Sequence, residues 1–387
     1  MKNVRIRIML VAALAVASAS FISCRDDDSQ TVDDQLAAQV AEQFVDHTVA
    51  PTYTALAAKA ELLASQLAAL RQNPTNAGVE EACQTFLDAR EQWEKSEAFL
   101  FGAAGDFGID PHIDSWPLDE DAFRTLMYES PAMIAALDGE DGDVVAGERL
   151  GNALLGFHGL EYILFADGRA KHAADITENE WIYAAAVAGD LRNRCYQLEV
   201  GWLGSKAPES HRAKLEDLEM AYTVAGSSNS YGENMVNAGK PGSTYASRIA
   251  AMMAIVQGCS DIADEVGSSK IYAAWHGEDI TYIESPYSQK SIIDFYNNIL
   301  SIRNAYMGGV EGQRDEAKSL HSFVKSHDAS IDGHVTTAIE TALQKINAMP
   351  APFVLHYSEA ANGAAVEACS ELSDALGEIN NLLRELN

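Results

Sequence analysis

Cationic residues are scarce in this chain: 27 Lys and Arg stand against 57 Asp and Glu, a formal net charge of −30. So acidic a surface repels phosphate backbones, which excludes sequence-independent nucleic-acid binding and leaves cations or basic proteins as natural partners. Proline and glycine are also few, 10 and 27 in 387 residues, so the chain is neither fibrous nor of low complexity. Five cysteines include no CxxC pair, which removes zinc-ribbon and thioredoxin-type sites. HExxH and GxSxG are absent, and with them the two-histidine zinc-peptidase helix and the serine-hydrolase elbow. Period-two alternation of apolar and polar residues, the signal of half-buried strands, is scarce too.

What is present begins with a targeting segment. Lys2, Arg5 and Arg7 precede an apolar stretch, Ile8 to Ile22, that is too short for a stop-transfer helix. It ends in Phe21-Ile22-Ser23-Cys24, which resembles a bacterial lipobox with Phe in place of the usual Leu. A plain secretory peptide with an incidental cysteine is the other reading. The run Arg25-Asp26-Asp27-Asp28-Ser29 is similar to the acidic export signal of some surface lipoproteins. The expectation is a signal peptide over 1–23, lipid on Cys24, an acidic tether over 24–32, and a body anchored to the outer membrane of the cell envelope, facing the periplasm or the outside. An oxidising compartment permits disulfides. With two of the remaining cysteines in each half, Cys83–Cys195 and Cys259–Cys369 are the natural pairs; four buried thiols are the equal alternative.

The body is 47% hydrophobic and 22% charged over the whole chain, enough apolar residues for ordinary cores. Helical periodicity runs over 35–49, 52–70, 79–99, 148–165 and 178–202, then over 245–266, 289–307, 314–325, 332–349 and 358–386. Between these groups lie two punctuated stretches, Gly226 to Gly232 and Gly239 to Ser243. Only 271–275 and 281–283 read as short strands. The sequence therefore predicts an all-α protein of two helical bundles packed side by side, 33–225 and 244–387, with a boundary over 226–243. Faint echoes, such as Val79 to Cys83 against Ala365 to Cys369, suggest a duplication.

Chemistry concentrates in Leu154 to Phe165, which is apolar nearly all round and so expected to be buried. Spacing of three puts His158 and Glu161 on one face. A buried carboxylate needs a partner, since stripping one away costs roughly 3–5 kcal/mol. Gly156 and Gly159 each cost about 1 kcal/mol against Ala inside a helix, which makes sense if another backbone or a ligand approaches closely. A purely structural His–Glu hydrogen bond is the competing reading.

These residues form Gly156-Phe157-His158-Gly159-Leu160-Glu161, the G-x-H-x-x-E hallmark of the imelysin-like proteins, which the chain resembles. Ala89 to Gly102, Ile113 to Asp119, Glu284 to Ser288, Asp294 and Ile302 to Gly308 resemble further blocks of that family, in family order. The resemblance implies two helical bundles with the His–Glu motif near their interface, in a family classed as peptidases and often iron-regulated. It also implies a metal site of imidazole and carboxylates, with iron first and zinc or copper as the other candidates. His158 and Glu161 are the expected ligands, with Glu97 a third from its shared block. Asp114, Trp116, Ser288, Asp294 and Arg303 are expected near the ligand or the bundle interface. The expected function is binding a metal ion, or a small metal-containing ligand, for uptake with an envelope transport partner. A metallopeptidase, or a surface binding protein with a structural His–Glu pair, are the alternatives.

Overall fold

Eight long helices carry the framework among the described residues, and four of them start at a residue whose side chain caps them. In the computed structural model residues 26–387 are described, with side chains from Asp34 onward; the expectations for residues 1–25, Cys24 included, lie outside them. Helix α1 (Asp26–Phe44) begins inside the stretch expected as a tether, and continues through a widened turn, Val45–Val49, into α2 (Ala50–Gln72). Pro51 sits in the first turn of α2, where a missing N–H costs little. The Thr75 hydroxyl caps α3 (Asn76–Glu94) by accepting the Gly78 N–H at 3.1 Å. A short helix, α4 (Gly156–Leu164), carries the His–Glu pair. A capping box of Thr177 and Glu180 starts α5 (Glu178–Leu203). Ser247 caps α6 (Arg248–Glu265), Gly308 in the left-handed region ends α7 (Ser291–Met307), and Asp328 caps α8 (Ala329–Asn347). Helix α9 (Gly363–Leu386) is the last.

Helix α2 packs on both α3 and α5, with α4 against α3 and α5. In the other half α9 packs on α6 and α8, and α7 on α6 and α8. The halves meet where α3 and the turn Glu97–Phe99 lie against α6 and α7, and where α1 crosses onto α6. One continuous apolar core runs through both, from Ala37 to Leu383. Residues 226–243 contain a short helix, Tyr231–Val236, that packs on α1 and α5.

The protein is all-α. Its described strands are a two-residue hairpin, β1 (Phe165–Ala166) and β2 (Arg169–Ala170). The two segments read as strands are helical instead: 271–275 falls in a wide turn and the short helix Tyr272–Trp275, and Ile280–Tyr282 forms a 3-10 turn. The helix expected over 148–165 is broken into Gly142–Arg149, a turn Asn152–Leu154, and α4. The disulfide pairs are also corrected. Cys83, Cys195, Cys259 and Cys369 are all free thiols. Each sits in the apolar core, where burial pushes its pKa up and leaves it an inert small hydrophobe.

Candidate metal centre

Gly156 opens α4 with φ +66°, and a Cβ there would lie 1.8 Å from the Ile113 carbonyl oxygen. At Gly159 a Cβ would lie 2.1 Å from the Tyr183 hydroxyl. Both glycines are therefore required by close approach, the first by backbone and the second by a side chain that donates to the Leu154 carbonyl at 2.7 Å. The approach at Gly156 seats α4 against the end of the short helix Ile109–Ile113, whose next residue is Asp114. His158 Nε2 consequently lies 3.0 Å from Asp114 Oδ1.

Asp114 is the hub. Its carboxylate pairs with the buried Arg90 guanidinium and accepts from Trp93 Nε1 at 2.6 Å. Arg90 also meets Glu94 at 2.6 Å and Glu284 at 2.5 Å. Lys270, 1% exposed, reaches Glu284 at 3.2 Å, and its ammonium stands 5.3 Å over the Trp116 ring. Glu284 begins an irregular segment that leads into α7. Ser285 and Gln289 there adopt φ of +50° and +61°, a backbone strain that non-glycine residues keep only where packing enforces it. This segment turns the Ser288 N–H onto Glu161 Oε1 at 2.8 Å, and the Ser285 hydroxyl onto Asp294 Oδ2 at 2.5 Å.

The expected ligands thus occupy different places. His158 groups with Asp114 and Glu284, whose potential ligand atoms all lie within 4.8 Å of one another. Glu97, buried in its 3-10 turn, groups with Glu94 and Asp114 by the same measure. Glu161 stands on the other side of the imidazole, its Oε2 3.8 Å from His158 Nδ1. That position suits a carboxylate that orients the ring while Nε2 faces a ligand. Asp294 joins the cluster through Ser285, and Trp116 forms its lid, 5.8 Å from the His158 ring centre. Ser288 contributes its backbone. Arg303 is not brought to the cluster; it forms a partly exposed pair with Glu340 at 3.5 Å.

Four central residues were not singled out from the sequence: Arg90, Glu94, Lys270 and Glu284. A signal for the first existed. Arg90 occupies the same helical stripe as Val79, Cys83, Phe86 and Trp93, all buried, so a charge fell where the pattern demanded an apolar side chain.

The electrostatics follow from crowding buried carboxyl groups. Among the described residues, Glu94, Glu97, Asp114, Glu161, Glu284 and Asp294 are buried together with Arg90, Lys270 and His158 as the nearby cationic groups. Burial pushes Glu94 and Glu97 well above the usual carboxylate range, only partly opposed by Arg90 and Lys270. Burial likewise lifts Asp294 to about 7 against the pull of Arg90. Burial works on Asp114 in the same direction, but Arg90 and His158 outweigh it and hold that carboxyl below its ordinary value. For His158 burial disfavours the cation, yet the carboxylates of Asp114 and Glu161 beside the ring raise it to about 9. Even so, His158 Nε2 and Glu161 Oε2 are buried with no aligned hydrogen bond. A cleft of about 510 Å³, walled by Trp116, Ile280, Ile283, Pro286 and Tyr287, opens onto His158. Carboxyl groups outnumber cations here and one imidazole stands among them with polar atoms left over, a set of oxygen and nitrogen donors of the kind that iron, zinc or copper can take.

A profile described as Imelysin, and named as a peptidase, matches residues 49–380. The chain belongs to the imelysin family. Iron-regulated protein A of Synechococcus elongatus is 28% identical over 345 residues, covering 87% of this chain and 84% of that protein. The crystal structure of an iron-regulated protein A precursor from Parabacteroides distasonis superimposes with a TM-score of 0.75 at 28% identity, over 90% of this chain and 95% of that one. An imelysin-like protein from Psychrobacter arcticum shares the fold, with a TM-score of 0.59 at 14% identity over 90% and 93% of the two chains.

Proposed function

We propose that the protein binds a metal ion, iron first, through His158 with Asp114 and Glu284, and serves metal uptake in the cell envelope. The observation that carries this reading is the surplus of buried carboxyl groups around His158, at the end of a cleft open to solvent. A cation relieves that surplus directly, because an unpaired buried charge is otherwise suppressed by protonation. Glu161 orients the imidazole, and Arg90 and Lys270 hold Asp114 and Glu284 in place. Glu97, with Glu94, offers a further carboxylate pair beside Asp114. The names of the relatives, which speak of iron regulation, support iron over zinc or copper. The lipobox-like run to Cys24 supports lipid anchoring to the outer membrane, with an envelope transport partner receiving the metal.

Metal analysis after purification without chelators tests the site. Stoichiometric iron, lost in His158→Ala and Asp114→Asn proteins that still give a helical circular-dichroism spectrum, is the expected result. Full metal content in His158→Ala ends the assignment. Chelator-sensitive cleavage of casein by the same samples would point to the peptidase reading instead. For the anchor, Cys24→Ser should move the protein from the membrane to the soluble fraction.

A further inference from the structure

A second cavity, of about 540 Å³, lies between the β1–β2 hairpin and the start of α7. Its chemistry is the reverse of the metal centre. We propose that this cavity binds the carboxylate or phosphate group of a small organic anion.

Arg169 and Lys290 line it, and among the described residues neither forms an ion pair, in a chain where acidic groups outnumber basic ones by 57 to 27. Lys290 also borders a smaller cavity lined by Asp88, Glu91 and Asp294, yet among the described residues it pairs with none of them. Lys290 is also the N-cap of the 17-residue helix α7, and its side chain makes no capping bond. The N–H groups of Ser291 and Ile292 meet no acceptor among the described residues, and Ile292, in this positive first turn, lines the cavity. Ser288 points to a ligand independently. It is 1% exposed, contributes to the cavity wall, and its hydroxyl has no hydrogen-bond partner. A buried hydroxyl left unpaired costs about 1–3 kcal/mol, a penalty that a bound acceptor removes.

Gln289, Tyr296 and Asn347 complete the polar wall, and none of them spends a side-chain donor inside the protein. The set is thus rich in donors. An arginine fork and an open helix N-terminus both favour the flat, multiply accepting face of an oxyanion. One carboxylate, Asp167, also lines the cavity; it is exposed, where solvent and salt screen it. Ile292, Ala351 and Pro352 add apolar wall, which suits an anion carried by an organic frame. The volume is that of a small-molecule site.

The test uses metal-free protein, so that it does not depend on the metal centre. Citrate and inorganic phosphate are titrated separately by calorimetry, with chloride as the control at matched ionic strength. One of them should bind one to one, citrate marking a carboxylate site and phosphate a phosphate site. Arg169→Ala and Lys290→Ala should each weaken that binding about tenfold or more, the loss of one charge-assisted hydrogen bond, whereas His158→Ala should leave it unchanged. Both side chains are at least partly exposed, so neither change threatens the fold. No binding of either anion at millimolar concentration overturns the proposal. Equal competition by chloride, or undiminished binding by the Arg169→Ala/Lys290→Ala double variant, overturns it as well.

Discussion

Two buried polar clusters in this protein contrast sharply. In the C-terminal half Asp332 accepts from the Tyr306 hydroxyl at 2.8 Å and pairs with His321 Nδ1 at 2.5 Å. It sits in the first turn of α8, where the helix dipole favours a carboxylate, and none of the three side chains leaves a buried polar atom unpaired. The cluster around Asp114 has stronger ion pairs and is less complete. His158 Nε2, Glu161 Oε2 and Arg90 Nε lack hydrogen-bond partners, and the group faces a cleft. Both clusters contain histidine and aspartate, so composition does not separate them. Saturation does: a closed network holds a fold together, whereas one with unspent donors and acceptors beside an opening is prepared for something else.

The largest effect should come from the central cation. Arg90→Met leaves Asp114, Glu94 and Glu284 buried without their main counter-charge, and should cost roughly 3–5 kcal/mol in denaturant unfolding of the metal-free protein. Added metal should recover part of that loss if the cluster is a cation site. Asp332→Ala comes next. It strands Tyr306 and His321, should cost about 1–3 kcal/mol, and should leave metal binding untouched. Equal loss of metal binding from both substitutions would erase the distinction between the clusters.

A pH series sharpens the comparison further. His158 is raised to about 9 in the fold, against an ordinary value of about 6.5. A raised value means the cationic form is bound more tightly in the folded state. Its contribution to stability is therefore complete below about 6.5 and is lost as pH rises through about 9. The melting temperature of the metal-free protein should fall across that window, and His158→Gln should flatten the fall. Metal binding should release this proton and tighten as pH rises, which calorimetry in buffers of different ionisation enthalpy would detect. Asp114, held low, acts oppositely: its contribution is present above about 4 and lost on further acidification.

The smallest effect should be that of Arg303→Ala. A partly exposed pair with Glu340 contributes about 0–1 kcal/mol, so unfolding and metal content should both stay near those of the unaltered protein. A large loss of metal would return Arg303 to the site.

Long helices such as α3 were legible because they bury an apolar stripe with a period near 3.6, whereas α5 is buried nearly all round and was legible from its length and its Thr177 start. The short ones were not. Residues 148–165 read as one helix since an apolar run carries no mark of where it bends, and only contact with Ile113 shows that Gly156 starts a new one. Residues 271–275 offered aromatic and β-branched side chains suited to a strand, but among the described residues no neighbouring strand pairs with them. The two disulfides were inferred from cysteine number and compartment alone. Sulfur atoms bond only where the packed helices bring them together, and these four are buried apart as thiols.

The all-helical class, the acidic surface and the joint placement of His158 and Glu161 on one buried face all follow from the sequence by itself. Composition and periodicity are properties of neighbours along the chain, and a spacing of three fixes a shared helical face whatever surrounds it. The identity of the cluster is a different matter. Asp114 meets His158 because the end of the Ile109–Ile113 helix docks where Gly156 lacks a Cβ, and Glu284 meets Arg90 across 194 residues through a strained turn. Which carboxylate lies beside Nε2 of His158 and which beside Nδ1 was decided by that packing, since electrostatic interactions act over ångströms in space and are indifferent to distance along the chain.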